Sequence, residues 1–130
     1  MECRGDFSIV GWEEDTVSEK SGGAKLTRAS VKQTYAGDMV GESSIEYIMA
    51  YETPTKASFV GFESFVGVIN GLRGTVTFKH EGIFDTGVAT SSFQAIMSAS
   101  TGELSNKCIS GTFSSGEAGK ASYAISLTSP

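Results

Sequence analysis

Histidine occurs once in these 130 residues, at His80, and cysteine twice, at Cys3 and Cys108. One imidazole and two thiols far apart, with no CxxC pair, cannot build a multi-histidine or tetrahedral cysteine centre, so neither a metal nor a cofactor is expected. Basic runs are also missing. Ten Lys and Arg against fifteen Asp and Glu leave a formal net charge of -5, and nucleic acid needs clustered cations to displace its counterions, which excludes it as a partner. No run of about 18 apolar residues is present to span a bilayer. The opening MECRGDFSIVGWEED has acids where an export signal needs a basic start and an apolar core. A soluble, cytoplasmic protein with reduced thiols and no membrane partner is expected. No GxSxG elbow, P-loop or GxGxxG fingerprint occurs, which leaves serine hydrolase and nucleotide readings without support. The tripeptide RGD at 4–6 opens a predicted strand and is read as a chance match.

Glycine is abundant instead, sixteen against two prolines. Aromatic and β-branched residues are spread along the whole chain, and no apolar stripe at helical spacing lasts three turns, which points to an all-β fold. Turn signals stand at 18–23, 36–41, 52–56, 70–71, 85–87, 100–102 and 114–119. They divide the chain into eight predicted strands near 4–13, 25–36, 40–52, 57–69, 72–84, 88–99, 102–113 and 120–128. Eight consecutive strands with short connections form an up-and-down antiparallel meander, and closing it into a barrel removes the exposed edges. One β-barrel domain over 1–130 is therefore predicted, with residues 14–24 as its longest connection and a mobile lip.

The segment SFVGFESFVGVINGLRGTVTFKHEG, residues 58–82, specifies a candidate interior. A two-residue type I′ turn at Asn70-Gly71 sets Glu63 opposite Phe78 and Gly61 opposite His80. One face then carries Phe59, Gly61, Glu63, Phe65 and Gly67 beside Gly74, Val76, Phe78, His80 and Gly82. The other face of the second strand carries Arg73, Thr75, Thr77, Lys79 and Glu81 and is wet, so the first points inward. Glu63 and His80 become diagonal neighbours about 7–8 Å apart at Cα, within reach of each other's side chains. A buried carboxylate is costly unless paired, so the two form either a structural ion pair or a general acid-base couple. Glycines 61, 67, 74 and 82 are expected to leave interior space, walled by Phe59, Phe65, Phe78 and Phe93, for one small, largely apolar molecule.

Facing is open at two other turns. A four-residue TPTK loop sets Glu46 opposite Glu63, whereas a loop one residue shorter or longer turns Tyr47, Met49 and Tyr51 inward. Phe93 and Ser91 face inward across a turn at Asp85-Thr86, and Gln94 does so across a longer one. Strands three and four show apolar residues on both faces, Ile45, Tyr47 and Met49 in one and Val60, Phe62 and Val66 in the other. An outer strip of Tyr47, Phe62 and Val66 is read as the contact surface of a homodimer or trimer.

The blocks GGAKLTRASVKQTYAGDMVGES, YIMAY, ASFVGFESFVGVINGLRGTVTFKHEGIF, GVAT and STGEL, followed by Ile109 and Gly111, resemble a bacterial family of small proteins of unassigned function. That family is similar to the allene oxide cyclase-like barrels, the superfamily that includes the plant dirigent proteins. The resemblance spans nearly the whole chain from residue 5 and implies a closed eight-stranded barrel with an internal site for a small hydrophobic molecule. No cyclase catalytic motif matches this chain residue by residue. An isomerase or cyclase with Glu63 and His80 as its acid-base pair is one functional reading, and a non-catalytic oligomeric interaction module is another.

Overall fold

The computed structural model describes residues 1–116 and 121–129. Its strands are β1 (Glu2–Glu19), β2 (Lys25–Gly37), β3 (Met39–Thr53), β4 (Lys56–Ile69), β5 (Leu72–Asp85), β6 (Val88–Ala95), β7 (Thr101–Gly102), β8 (Cys108–Ser115) and β9 (Ala121–Thr128). β7 is a two-residue stub on β5. The other eight close into an antiparallel barrel, each pairing with its sequence neighbours and β9 returning to the start of β1. Alternation of buried and exposed residues over 43–50 of β3 and 57–66 of β4 follows from the pleat, which sends successive side chains to opposite faces. No described helix is long and apolar enough to cross a membrane.

Turn chemistry sets the registers. Asn70 (φ 50°) and Gly71 (φ 79°) make the expected tight turn. Glu63 accordingly pairs with Phe78 and Gly61 with His80. Thr86 (φ 49°) and Gly87 (φ 85°) make a second such turn, with Asp85 paired to Val88. Ser91 and Phe93 therefore face inward and Gln94 outward. Between β3 and β4 only Pro54 and Thr55 turn, and a bulge at Glu52 adds one residue to β3. Ile45 thus sits opposite Glu63. Tyr47 and Met49 are buried inside, and Glu46 is exposed.

Three predicted boundaries are corrected. β1 does not stop near residue 13 but runs to Glu19, so the expected connection at 14–24 shrinks to residues 20–24. Two bulges, between Ile9 and Gly11 and between Thr16 and Ser18, let β1 follow β2 along its length. The strand predicted over 88–99 ends at Ala95, and the one predicted over 102–113 begins at Cys108. Between them Gly102 (φ 67°) and Asn106 (φ 61°) leave the extended region, so this stretch crosses the barrel end and seats Leu104, fully buried, in the core. The turn predicted at 114–119 lies partly outside the described residues.

The interior forms two apolar clusters. At the end near the β2–β3 turn, Met39, Phe65, Ile69, Val76, Phe78 and Leu104 pack together. Toward the other end lie Ala29, Val31, Ile45, Tyr47, Met49 and Phe59. The inward glycines do not leave a large void. A Cβ on Gly61 would stand 2.7 Å from the Tyr47 ring, and one on Gly82 would stand 2.5 Å from Phe59 Cζ, so neighbouring aromatic rings occupy that room. The expected outer strip also changes, because Tyr47 points into the barrel. Val60, Phe62 and Val66 remain outside, joined by Val40 and Ile48.

A β-branched residue at positive φ is strained, and Thr86 occupies a position that suits Asn. Thr86→Asn is expected to stabilise the fold by about 0.5–1 kcal/mol. Urea unfolding of both proteins measures this, and an unchanged or lower midpoint contradicts it.

Candidate functional site

At mid-height between the two clusters, β2, β4, β5 and β6 each contribute an inward polar residue. Glu63 and His80 are sealed from solvent, at 0 and 1% exposure. His80 Nε2 lies 2.6 Å from Glu63 Oε1. Tyr35 donates its hydroxyl proton to Glu63 Oε2 in a short hydrogen bond. Gln33 Nε2 donates to the Tyr35 oxygen at 2.7 Å and reaches Glu63 Oε2 at 3.5 Å. On the far side, His80 Nδ1 lies 3.1 Å from Ser91 Oγ. Donors on β2 and β5 thus converge on one carboxylate, the arrangement that makes a buried carboxylate tolerable. Burial, with the charge of Glu63 second, pushes the Tyr35 hydroxyl far above the usual phenol range, so it stays a donor. Tyr47 is raised for the same two reasons in the same order.

Aromatic rings enclose the imidazole. Phe93 lies 4.8 Å from it between centroids, Phe113 5.6 Å and Tyr47 5.8 Å. Above this layer is a chamber of about 40 Å³ bordered by Phe7, Ile9, Trp12, Val31, Gln33, Tyr47, Met49, Phe59, Phe84, Ala89, Phe113 and Ser115. Gln33 belongs both to the chamber and to the Glu63 network, so the two are contiguous. One side of the chamber is β1 beyond Asp6, which among the described residues pairs only with β2. Ile9 and Trp12 on that stretch are 45 and 46% exposed and form the chamber's outer lip.

The rim carries a second polar group. Glu14 accepts hydrogen bonds from Thr27 Oγ1 at 2.7 Å, the Tyr51 hydroxyl at 2.9 Å and the Trp12 indole at 3.1 Å. Burial pushes the Glu14 pKa up, but those three donors and the nearby charge of Lys25 outweigh it, and the net shift is downward. Tyr51 is pushed up to about 12 by burial, then by its bond to Glu14 and that group's charge. Sequence reasoning missed this group because Glu14 fell in a stretch read as a connection. Gln33 and Tyr35 were missed too, since their contacts cross from β2 to β4 and no local turn sets that approach.

The predicted site residues fall in three places. Glu63, His80, Phe93 and Gly61 meet at mid-height, with the Tyr47 ring beside Gly61. Phe65 and Phe78 are fully buried just beneath, Phe65 against Tyr35 and Phe78 against Phe93, and Phe59 borders the chamber itself.

Removing the Tyr35 hydroxyl leaves Glu63 Oε2 with the long Gln33 contact alone, so Tyr35→Phe is expected to destabilise by about 1–3 kcal/mol in urea unfolding. All four tyrosines have raised pKa values, Tyr123 included, chiefly through burial. A phenol with a folded pKa above its unfolded one gives stability that is complete below about pH 10 and is lost as pH climbs through the folded value. The native protein should therefore show little phenolate absorbance at about pH 10, where a free phenol is half ionised, and its unfolding midpoint should fall above that pH. Ordinary titration of all four in the native state would contradict this.

The barrel is similar to a crystal structure of a protein of unknown function from the DUF3224 family of Shewanella oneidensis MR-1, with a TM-score of 0.79. The similarity covers 100% of this chain and 98% of that one at 21% identity, which carries the fold alone. Among curated proteins none matches the chain. A family model described as "Protein of unknown function (DUF3224)" matches residues 3–127, and the chain belongs to that family.

Proposed function

We propose that this protein binds a small, largely apolar molecule in the chamber above the Glu63 layer, entering past Trp12. The observation that carries this reading is the chamber's lining: aromatic and aliphatic walls, two polar groups at the floor, and an outer lip that among the described residues pairs on one side only. Binding sites for small molecules combine mostly apolar walls with a few placed polar groups. Tyr47, kept protonated by burial and the Glu63 charge, supplies a hydroxyl donor, and Gln33 supplies an amide whose orientation the network fixes. At about 40 Å³ the closed chamber holds only a few waters. A ligand must therefore displace Ile9 and Trp12 outward, and both are already about half exposed. Resemblance to the allene oxide cyclase-like barrels, whose ligands are apolar and internal, favours the same reading. The free thiols Cys3 and Cys108 suit a reducing, cytoplasmic setting.

Glu63 and His80 lie beneath Gln33 and Tyr47, so in this reading they fix the chamber floor and do not touch the ligand. Acid-base chemistry by the pair would require the floor itself to open, and the binding role is preferred over the isomerase or cyclase one.

Trp12 is the only tryptophan of the chain and stands at the lip, so its fluorescence reports entry. Titration with 1-anilinonaphthalene-8-sulfonate and with short-chain fatty acids is expected to change the Trp12 emission saturably. Val31→Phe, which fills the chamber, should abolish the response while leaving the fold intact. Absence of any saturable change across these probes, with no co-purified molecule in native mass spectra, would refute the proposal.

A further inference from the structure

The outer face of β3, β4 and β5 is apolar along its spine, with Glu42 and Glu46 on the β3 flank and Arg73 and Lys79, followed by Glu81 and Asp85, on the β5 flank. Val60, Phe62 and Val66 on β4 are 52, 53 and 58% exposed, with Ile48 beside them on β3. The registers place Glu46, Phe62 and Lys79 side by side in one row across the three strands. Glu42 on β3 and Arg73 on β5 repeat this polarity on one side of the row. On the other side Glu81 stands in the apolar row of Ile48 and Val60, where the packing described next sets it against Ile48 of the second copy. Exposed apolar side chains contiguous over adjacent strands are uncommon on a face that meets only water.

We propose that two copies of this chain pack through this face about a two-fold axis parallel to β4. Rotation about that axis lays β3 of one copy over β5 of the other, with Phe62 against Phe62 at the centre. Glu46 of each copy then faces Lys79 of the second copy, and Glu42 approaches Arg73 diagonally. A two-fold axis across the strands at the same point sets Glu46 against Glu46 and Lys79 against Lys79, an arrangement that like-charge repulsion disfavours. The charge pattern therefore selects one of the two ways of stacking the face on itself. Twisted sheets stack at about 30°, which keeps the central rows in contact and lets the ends diverge. Three strands spaced about 4.8 Å apart and about 14 residues long, at about 3.3 Å per residue, offer a flat footprint on the order of 650 Å². The convex outer face of a closed barrel keeps the contact below that figure, at the small end of specific interfaces, which suits a micromolar dimer. Glu46 also pairs with Arg28 of its own chain at 2.5 Å, but both groups are half exposed and Arg28 lies on the outer side, so the carboxylate stays accessible.

Sedimentation equilibrium of the full chain tests this. The wild type is expected to dimerise in the micromolar range, with Phe62→Glu monomeric and Phe62→Ser weakened without any added charge. Lys79→Glu and Glu46→Lys should each raise the dissociation constant about tenfold or more, because each places a like-charge contact on both sides of the axis. The combined Glu46→Lys, Lys79→Glu variant should recover most of the wild-type affinity. A monomeric wild type at the highest attainable concentration overturns the proposal, as does a trimer. A combined variant no tighter than either single one overturns the two-fold arrangement.

Discussion

One buried carboxylate organises the interior of this barrel. Glu63 is sealed from water, and it is tolerable there only because His80 meets one oxygen while Tyr35, with Gln33 behind it, meets the other. Breaking such a pair is costly, since it leaves a charge with neither water nor partner. The donors come from β5, which pairs with β4, and from β2, which lies one strand beyond β3, so satisfying Glu63 ties β2 to β5 at one relative height. A one-residue slip of β4 against either neighbour would turn Glu63 outward and drive Phe62 into the core. The polar layer thus acts as a register lock, and the aromatic rings around His80 hold the imidazole in the orientation the lock needs.

The same layer divides the core into unlike halves. Below it, Phe65, Phe78, Met39 and Leu104 pack without exposure, and the connection that carries Leu104 closes that end of the barrel. Above it, the wall is less complete. Among the described residues β9 pairs with β1 only as far as Asp6, while β1 continues along β2 to Glu19 through two bulges. Stability within one fold is uneven, and ligand-binding elements come from its weaker parts. In the binding role proposed, the Trp12 lip is that part, its indole hydrogen-bonded to Glu14 at the rim.

Glycine has a different use here from the one its composition suggests. The inward glycines at 61 and 82 act as sockets for the rings of Tyr47 and Phe59, so small residues on one strand are matched by large ones on its neighbours. Dense packing of this kind is the norm for protein interiors. It explains how eight strands of this length close around so small a chamber.

Local chemistry in the sequence determined much of this architecture. Asn70-Gly71 permits one tight turn, and that turn alone sets Glu63 beside His80, because a two-residue hairpin leaves no freedom in the pairing that follows. The all-β character and the antiparallel barrel followed from turn spacing and alternation for the same reason: both are properties of neighbouring residues. The bulge at Glu52, which turned Tyr47 inward and Glu46 outward, was decided by tertiary structure, since inserting one residue into a strand depends on what the partner strand offers. So were the extension of β1 past residue 13 and the withdrawal of residues 96–107 from the ladder, each set by contacts with strands distant in sequence. The convergence of Tyr35 and Gln33 on Glu63 was beyond local reading as well. Alternation gives the face of each residue, but only closure of the sheet fixes the height at which strands meet.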